Sequence, residues 1–506
     1  MSDTAAPAPD PLLCAALAAD LDAADFRSEP LRRLWGEEED DALARGMHEP
    51  ILRAIAGDDG ALATLGRLLV LGRPQPLEAV AAALPRLGVE GLVGLGLAGV
   101  DGDAVAPRAL LRPQSFVDVD GIGEWWIASD LDEAALDGAL PADHVLGVGG
   151  ASRTLAEIVM PVEVDRALDL GTGCGIQALL VSRHAASVVA TDISARALAY
   201  AELNARLNGV SNIEFRLGSL FEPVAGEAFD LIVSNPPFVI TPRVDGVPEY
   251  EYRDGGLVGD ALVEQFVRSA PDHLTPGGAA QLLGNWESRA GLPRLSDRVG
   301  LDRLASWVPA DLDLWVIQRE ELSPLAYAEL WIRDGGITPR DAAFTPLLTA
   351  WLDDFAERGV SGIGFGYILL RRPVTPGAVP LRRIERMPQQ VSNVGGALRQ
   401  GLAAHDLLAD GLPATLITAP DVTEARHLLP GNDDPSVIEL RQGGGFSRTI
   451  TVDPGLAAFV GACDGELTVG QIAAALADIF EVPLVDLWAD LEPRVRQLVL
   501  DGLLLG

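Results

Sequence analysis

Apolar residues in the middle of the chain follow two patterns, short continuous runs and longer stretches at helical spacing. Several of the short runs are followed by glycine, asparagine or an acidic residue, which is typical of a buried strand. Each longer stretch repeats its apolar positions with the period of a helix. This alternation predicts an α/β fold with a parallel, doubly wound sheet whose ligand binds at the carboxyl ends of the strands.

Seven strands are predicted in this sheet. They run over residues 166–170, 187–191, 213–217, 231–233, 279–283, 314–318 and 363–371, and the helices between them include 176–184 and 195–208. Residues 322–358, between the last two strands, have a helical pattern. Because such a connection is long, we expect the insertion at about 320–360 to be a lid or docking element. The sheet domain as a whole is predicted to span 116–380.

The segment before the sheet predicts a helical, winged-helix-like domain over residues 1–115. Helices at 61–71, 77–84 and 89–95 precede a hairpin at 97–111, which turns at Asp101-Gly102. In a DNA-binding module the third helix would enter the major groove. Here that helix carries Glu90 and no arginine. We therefore favour packing or partner docking over DNA binding.

The last part of the chain, residues 388–506, predicts a second winged-helix-like domain. Thr468 begins an amphipathic helix that runs to Phe480, and a longer helix covers 484–500. The segment holds 6 Arg and 16 Asp plus Glu, so its formal charge is 6 − 16 = −10. Because this charge repels nucleic acid, we expect core packing or homodimerisation here.

The whole chain is strongly acidic, with a formal net charge of −35 over 506 residues. A polyanion would be repelled over most of such a surface, although a local basic groove is still compatible with it. All 38 basic residues are arginine. The absence of lysine excludes a lysine Schiff base and therefore ordinary pyridoxal chemistry.

Cysteine, histidine and hydropathy patterns set further limits. Cys14, Cys174 and Cys463 are far apart, and the six histidines show no metal-ligand spacing. We therefore expect no disulfide framework and no metal site. No apolar run approaches the ~18 residues of a membrane span. The first ten residues lack the basic start of a signal peptide, so we expect a cytoplasmic protein without membrane contact.

The fourth strand ends in the sequence Asn235-Pro236-Pro237-Phe238, which predicts a rigid corner. Two successive prolines remove two backbone donors and fix two φ angles, so the strand cannot continue. The Asn235 side-chain oxygen and the Pro236 carbonyl can each accept one N–H of a planar nitrogen group, and Phe238 can stack on its face. The alternative interpretation is an ordinary turn after a buried strand.

The ends of the first three strands carry the other candidate ligand contacts. Glycines at 171, 173 and 175 follow the first strand and let a ligand approach the backbone at a helix N-terminus. Asp192 ends the second strand, where a carboxylate can accept both hydroxyls of a ribose. Ser219-Leu220 follows the third strand, at the place of an adenine ring. A nicotinamide fingerprint would require glycine at 176, which is Ile176.

Two motifs together, Asp-Leu-Gly-Thr-Gly-Cys-Gly at 169–175 and Asn-Pro-Pro-Phe at 235–238, resemble class I S-adenosylmethionine-dependent methyltransferases with a "small" methyltransferase domain. That group includes release-factor glutamine methyltransferases and several ribosomal RNA base methyltransferases, and the resemblance covers about residues 145–375. It implies a Rossmann-like fold.

The resemblance also implies a role for each motif residue. The methionine part of the cofactor would lie on Asp169, Gly171, Thr172, Gly173 and Gly175. Asp192 would lie at the ribose, Ser219 and Leu220 on the adenine side, and Ile193 would also contact the cofactor. Ser219 departs from the aspartate often found at that place. Asn235, Pro236, Pro237 and Phe238 would form the catalytic corner, with Asn235 also next to the cofactor. Tyr252 and Arg253 resemble part of a substrate loop, although an acidic surface loop is the alternative interpretation.

These residues predict direct transfer of a methyl group from a sulfonium to a nitrogen. The corner suits a glutamine amide, an adenine amino group and a guanine amino group equally, since all three are planar N–H donors. The acidity of the chain favours a protein substrate or a small molecule, whereas the winged-helix-like flanks favour a nucleic acid. A macromolecular acceptor is our first expectation. The alternatives are a small-molecule methyltransferase and a non-enzymatic regulator that binds the cofactor.

Overall fold

The structure is a computed structural model that describes residues 6–118, 121–136, 140–244, 247, 253–289, 299–388 and 393–506. The chain forms two compact units. The first contains the residues up to Ala156, then Glu163–Val374 and Ile384–Arg386; the second contains Glu157–Val162, Thr375–Arg383 and Met387–Gly506. The segment that the sequence assigns to an N-terminal domain, 1–115, and most of the predicted sheet domain, 116–380, thus share one compact unit; residues 157–162 and 375–380 belong to the other.

The N-terminal segment contains short helices and a small antiparallel sheet. Its helices are α1 (Pro11–Ala23), α2 (Ser28–Trp35), α3 (Glu37–Ala44), α4 (Glu49–Ala54), α5 (Ala61–Leu65), α6 (Leu77–Ala83) and α7 (Gly88–Gly94), and its strands are β1 (Gln75–Pro76), β2 (Ala98–Asp101) and β3 (Ala104–Pro107). The three strands pair in the order β1-β3-β2. Three helices followed by a hairpin is the predicted order of elements. The winged-helix-like assignment itself stays a prediction.

A long hairpin of two ten-residue strands connects this segment to the sheet domain. It consists of β4 (Ala109–Asp118) and β5 (Gly121–Asp130), and α8 (Glu133–Leu136) and α9 (Gly150–Ile158) follow it.

In the part of the chain that the structure describes, the central sheet contains eight strands. They are β6 (Val164–Leu170), β7 (Ala185–Asp192), β8 (Ile213–Leu217), β9 (Phe229–Ser234), β10 (Leu274–Arg289), β11 (Asp313–Leu322), β12 (Val360–Arg371) and β13 (Arg382–Arg386), and their order is β13-β11-β12-β10-β9-β6-β7-β8. The five strands from β8 to β10 are parallel, and β12 is antiparallel to both of its neighbours. All seven predicted strands lie in this sheet. The predicted count is one short, because β13 extends the edge beside β11.

Helices cover the sheet and bury its apolar strand residues. They are α10 (Ile176–Val181), α11 (Ala195–Leu207), α12 (Ala261–Ser269), α13 (Val299–Ser306), α14 (Pro324–Asp334) and α15 (Phe344–Glu357). Leu168, Ile232 and Leu282 on neighbouring parallel strands are fully buried in one core with Phe266 of α12. The last two helices form the predicted insertion between β11 and β12. No helix in the described residues is long and apolar enough to cross a membrane.

Asn204 of α11 and Asn208, which follows the end of that helix, connect the β4–β5 hairpin to the sheet domain. The side-chain amide of Asn204 accepts from the Ala128 N–H at 2.7 Å and donates to the Ala128 carbonyl at 3.0 Å. Asn208 pairs in the same way with the backbone of Trp126, at 2.9 and 2.8 Å. The two amides therefore satisfy strand β5 as a neighbouring strand would, which removes the cost of burying its polar groups.

The second unit combines helices with two small antiparallel sheets. Its elements are α16 (Val394–Ala409), β14 (Thr415–Thr418), β15 (Val422–Leu428), β16 (Pro435–Gln442), β17 (Thr449–Val452), α17 (Pro454–Gly461), β18 (Asp464–Thr468), α18 (Val469–Phe480), α19 (Leu484–Leu500) and β19 (Leu504–Leu505). The sheets have the orders β18-β14-β19 and β15-β16-β17. The predicted helices at 468–480 and 484–500 are α18 and α19, and Thr468 caps α18 in a capping box with Gln471. The sequence did not predict the strands.

Candidate functional site

The carboxyl ends of four parallel strands surround a cavity of about 400 Å³. The turns after β6, β7, β8 and β9 each contribute to its wall, as the sheet topology requires. Ten of the predicted site residues line the cavity: Gly171, Thr172, Gly173, Asp192, Ile193, Ser219, Leu220, Asn235, Pro236 and Pro237. No group of His, Cys, Asp and Glu suited to a metal ion occurs among the described residues.

The glycine turn after β6 is shaped by left-handed backbone. Gly171, Gly173 and Gly175 have φ values of 77°, 55° and 87°, a region that other residues rarely adopt. A Cβ at Gly171 or Gly173 would meet no atom within 4 Å. A Cβ at Gly175 would lie 2.9 Å from the Cβ of Ala201. The third glycine thus permits the turn to pack on α11, whereas the first two leave open space.

Asp169 lies below this turn and is almost completely buried. Its Oδ2 accepts from the Thr172 hydroxyl at 2.6 Å and from the Ala178 N–H at 2.9 Å. Its Oδ1 is buried, and no described group donates to it. Burial raises the pKa of Asp169 to about 7, although the hydrogen bonds from Thr172 and Ala178 oppose the shift. This side chain therefore offers an unused acceptor in a site of low polarity.

Asp192 connects two backbone segments at the cavity wall. Its Oδ2 accepts from the Gly173 N–H at 2.9 Å, and its Oδ1 accepts from the Ser194 N–H at 2.8 Å. Burial raises the pKa of this carboxyl, and the backbone donors oppose the rise. The next residue, Ile193, leaves 69% of its surface exposed. The wall thus presents a carboxylate beside an apolar side chain.

The turn after β8 is held against the end of β7. The Gly218 N–H donates to the Asp192 carbonyl at 3.0 Å. Leu220 has a φ of +46°, which is uncommon for a residue other than glycine. Ser219 and Leu220 both line the cavity on this side.

The Asn-Pro-Pro corner lies at the end of β9 and lines the cavity. The Ser234 hydroxyl donates to the Leu170 carbonyl at 2.7 Å, which fixes β9 to β6 directly before the corner. The Asn235 Oδ1 is buried, and no described group donates to it. A buried acceptor without a donor costs about 1–3 kcal/mol unless a ligand satisfies it. The corner therefore presents an acceptor suited to an N–H donor.

Four predicted site residues lie outside the cavity lining. Asp169 and Gly175 lie beneath the turn, as described above. Phe238 packs against Phe365 with the ring centroids 5.5 Å apart. Arg253 is buried, and its guanidinium Nη1 lies 3.4 Å from the Trp331 carbonyl oxygen. The remaining candidate, Tyr252, lies outside the described residues.

A segment that the sequence analysis did not assign to the site forms one wall. Residues 143–147 and Ser152 line the cavity, and Asp130 holds this segment because its carboxylate accepts from the Val145 N–H at 2.8 Å. The same carboxylate accepts from the Tyr200 hydroxyl at 2.7 Å and pairs with Arg196. The glycine-rich loop at 147–150 was the available signal. The sequence holds no signal for the contacts between Asp130 and α11.

Gln177 is a second residue that sequence reasoning missed. It lines the cavity from the first turn of α10 and is only 3% exposed. Its Nε2 donates to the Ser152 carbonyl at 2.7 Å, whereas no described group donates to its buried Oε1. The returning segment Asp254–Gly256 also lines the cavity, near the corner.

Two protein families match parts of the chain. Residues 147–291 match a family described as "Methyltransferase small domain". Residues 23–108 match a family described as a domain of unknown function. A release factor glutamine methyltransferase of Xylella fastidiosa is 39% identical over 150 residues, which are 28% of this chain and 54% of that protein. A ribosomal protein uL3 glutamine methyltransferase of Bradyrhizobium diazoefficiens is 37% identical over 140 residues, 26% of this chain and 44% of that protein.

The chain thus spans about half the length of these curated relatives. Among solved structures, a ribosomal protein L11 methylase from Lactobacillus delbrueckii is 20% identical with a TM-score of 0.25, and covers 45% of this chain and 81% of its own. The match of residues 147–291 to a methyltransferase domain supports S-adenosylmethionine as the cofactor of this part of the chain.

The residues at the cavity fit this cofactor. Gln177 Oε1 at the cavity and Asp169 Oδ1 beneath the glycine turn are buried acceptors that suit an ammonium group, and the carboxylate of Asp192 at the cavity suits two hydroxyls. A Cβ at Gly171 or Gly173 would meet no atom within 4 Å, so both glycines leave open space at the cavity wall.

Cofactor binding should weaken as pH falls below about 7. Protonation makes Asp169 neutral, so the attraction between its carboxylate and an ammonium is lost. Because the bound ammonium group favours the ionised form of Asp169, we expect the dissociation constant of S-adenosylmethionine to rise by up to about tenfold per pH unit below 7. Calorimetric titration of S-adenosylmethionine between pH 5 and 8 measures this. Asp169→Asn should bind weakly with a smaller pH dependence; an equal dependence in both proteins would exclude Asp169 as its origin.

Proposed function

We propose that this protein is an S-adenosylmethionine-dependent N-methyltransferase that modifies the side-chain amide of a protein glutamine. The buried Asn235 Oδ1, which no described group satisfies, is the observation that carries the proposal. A primary amide donates two N–H bonds from one plane, and the corner offers two acceptors, the Asn235 side chain and the Pro236 carbonyl. The relatives named above act, by their names, on glutamine in a release factor and in ribosomal protein uL3.

Transfer needs a more reactive nitrogen lone pair than a free amide has. Bound S-adenosylmethionine would supply a methyl group on a positively charged sulfur. By accepting both N–H bonds, Asn235 and Pro236 would orient the amide nitrogen so that its lone pair points toward that methyl. In such a transfer the nitrogen would form its bond to the methyl carbon as the bond from that carbon to sulfur breaks, and the electron pair would stay on sulfur. The nitrogen then loses one proton to water, so no strong base is required before attack.

We further propose roles for the remaining candidates. Asp169 and the glycine turn would hold the methionine part of the cofactor, Asp192 and Ile193 the ribose, and Ser219 with Leu220 the adenine. Phe238, which is half-buried against Phe365, would support the corner and stack on the planar group of a bound acceptor. Arg253 would maintain the shape of the substrate loop through its contacts with α14.

A protein acceptor accounts for the charge of the chain better than a nucleic acid does. The formal net charge of −35 repels a phosphate backbone, so the winged-helix-like segments would serve packing, protein docking or self-association. A cytoplasmic location is part of this proposal.

The acceptor class is tested by methyl transfer from radiolabelled S-adenosylmethionine into fractionated cell extract. We expect label in protein, resistant to nuclease, removed by protease and recovered after complete proteolysis as methylated glutamine. Asn235→Ala should give no such label. Label that nuclease removes would assign the corner to a base amino group instead. Label only in small molecules would contradict a macromolecular acceptor.

A further inference from the structure

We propose that Tyr327, in the inserted helix α14, is a positioning residue for the methyl-acceptor corner. It lies outside the cavity lining and would act through the backbone that follows Asn235. This proposal rests on the proposed function, because it assigns the helical insertion to the acceptor side of the same site.

The Tyr327 hydroxyl is a buried hydrogen-bonding centre. It accepts from the Ile240 N–H at 3.0 Å and from the Asn285 side-chain Nδ2 at 2.5 Å. The side chain is 3% exposed, and burial raises its pKa far above the ordinary value, so the hydroxyl is neutral at any physiological pH. Ile240 lies five residues after Asn235, and Asn285 lies on β10, the strand beside β9. One oxygen thus joins the segment after the corner to the sheet.

Helix α14 also holds the chain segment that returns to the cavity. Phe238 forms an antiparallel bridge with Asp254, and the Val239 N–H donates to the Arg253 carbonyl at 3.1 Å. The Arg253 side chain then reaches α14, with Nη1 3.4 Å from the Trp331 carbonyl and 3.7 Å from Asp334 Oδ2. The helix therefore supports two chain segments: the one that leaves the corner at Phe238–Ile240, and the one that returns to the cavity wall at Asp254–Gly256.

The packing of the insertion is that of a fixed support. Val239 and Ile240 are buried in one hydrophobic cluster with residues of both inserted helices, among them Tyr327, Trp351 and Phe355. Opening α14 as a lid would expose this apolar cluster to water and leave the Ile240 N–H without its acceptor, and both changes are unfavourable. We therefore assign the insertion to positioning, in place of the lid or docking element that its length alone suggests.

The hydroxyl can be removed without changing the packing of the ring. Tyr327→Phe keeps the aromatic contacts with Trp351 and Phe355 but leaves the Ile240 N–H and the Asn285 amide without their acceptor. The segment after the corner gains freedom, and small misplacements of reacting groups cost up to about 100-fold in rate. The cofactor side of the cavity has no contact with this hydroxyl in the described residues.

We expect Tyr327→Phe to lower kcat by about 10- to 100-fold while the dissociation constant of S-adenosylmethionine changes less than about twofold. Thr418→Val in the second unit is the matched control, because it removes one hydroxyl that donates to the Val460 carbonyl at 2.7 Å. It should lower Tm and leave kcat unchanged. An unchanged kcat in Tyr327→Phe, or parallel losses of kcat and cofactor affinity, would overturn the positioning role.

A second measurement needs no acceptor. Hydrogen exchange of full-length, cofactor-bound protein should show at least about tenfold faster exchange of the Ile240 amide in Tyr327→Phe, with the amides of Leu231–Val233 unchanged. Unchanged Ile240 exchange would overturn the anchoring itself. If Ile240 exchanges faster in Tyr327→Phe but the wild-type enzyme methylates no protein glutamine, Tyr327 is still the anchor and only the proposed acceptor is wrong. Failure of the positioning role and failure of the proposed function are therefore distinguishable.

Discussion

Replacing Asn235 by alanine is expected to lower methyl transfer at saturating cofactor by about 100- to 1,000-fold, the usual range for losing one positioned polar group at a reacting centre. The change removes one of the two acceptors that would orient the nitrogen. It does not change the strand below, since Ser234 still holds β9 to β6 through the Leu170 carbonyl. Single-turnover transfer, compared with calorimetric binding of S-adenosylmethionine, separates the chemical step from cofactor affinity.

Two further variants control this experiment. Asn235→Asp retains a side-chain acceptor in the same shape, so its activity should lie between wild type and alanine. Asn212→Ala removes an asparagine whose Nδ2 donates to the Ser182 and Ala185 carbonyls, away from the cavity lining. It should reduce stability without reducing the transfer rate. If Asn235→Ala keeps more than about half of the activity, the corner does not orient the acceptor.

The sequence predicts the central sheet well because each parallel strand is buried on both faces. Continuous apolar runs such as Leu231–Val233 are typical of strands buried on both faces. Because these strands are parallel, the residues that follow them all lie at the same edge of the sheet. The cavity lining by the glycine turn, Asp192, Ser219 and Asn235 follows from that rule alone.

Strand β13 shows where this reasoning ends. Its residues Arg382–Arg386 are almost all charged and lack the apolar alternation of a strand. Charged side chains are typical of an edge strand, where they discourage further pairing, but the same composition also suits a loop. The segment forms a strand because it pairs with the neighbouring strand β11, and this pairing cannot be inferred from its own residues.

Long-range polar contacts are the other part that the sequence does not reveal. Asn204 and Asn208 have the pattern of the end of an exposed helix, yet their amides pair with strand β5 about 80 positions earlier. Asp130 joins the cavity wall to α11 in the same way. These contacts depend on the shape of two surfaces, which periodicity does not encode, and they explain why one cavity wall was missed.

Asp192→Ala should raise the dissociation constant of S-adenosylmethionine by about 100-fold or more. Each oxygen of this carboxylate accepts one backbone N–H, from Gly173 or Ser194, and keeps a lone pair for a ribose hydroxyl. Hydrogen bonds to a charged group contribute about 1.5–3 kcal/mol each, so losing two corresponds to at least about two orders of magnitude in affinity. The Gly173 N–H also loses its acceptor, which loosens the glycine turn. Calorimetric titration measures the change.

The matched control for Asp192→Ala is Asp165→Ala, which removes an exposed carboxylate near the amino end of β6, away from the cavity lining. Both variants lose one negative charge, so a general electrostatic effect on the cationic cofactor would appear in both. Only Asp192→Ala should lose affinity strongly, and it should recover most of its transfer rate at saturating cofactor because the Asn235 corner is intact. A dissociation constant within about threefold of wild type would show that Asp192 shapes the turn without holding the ribose.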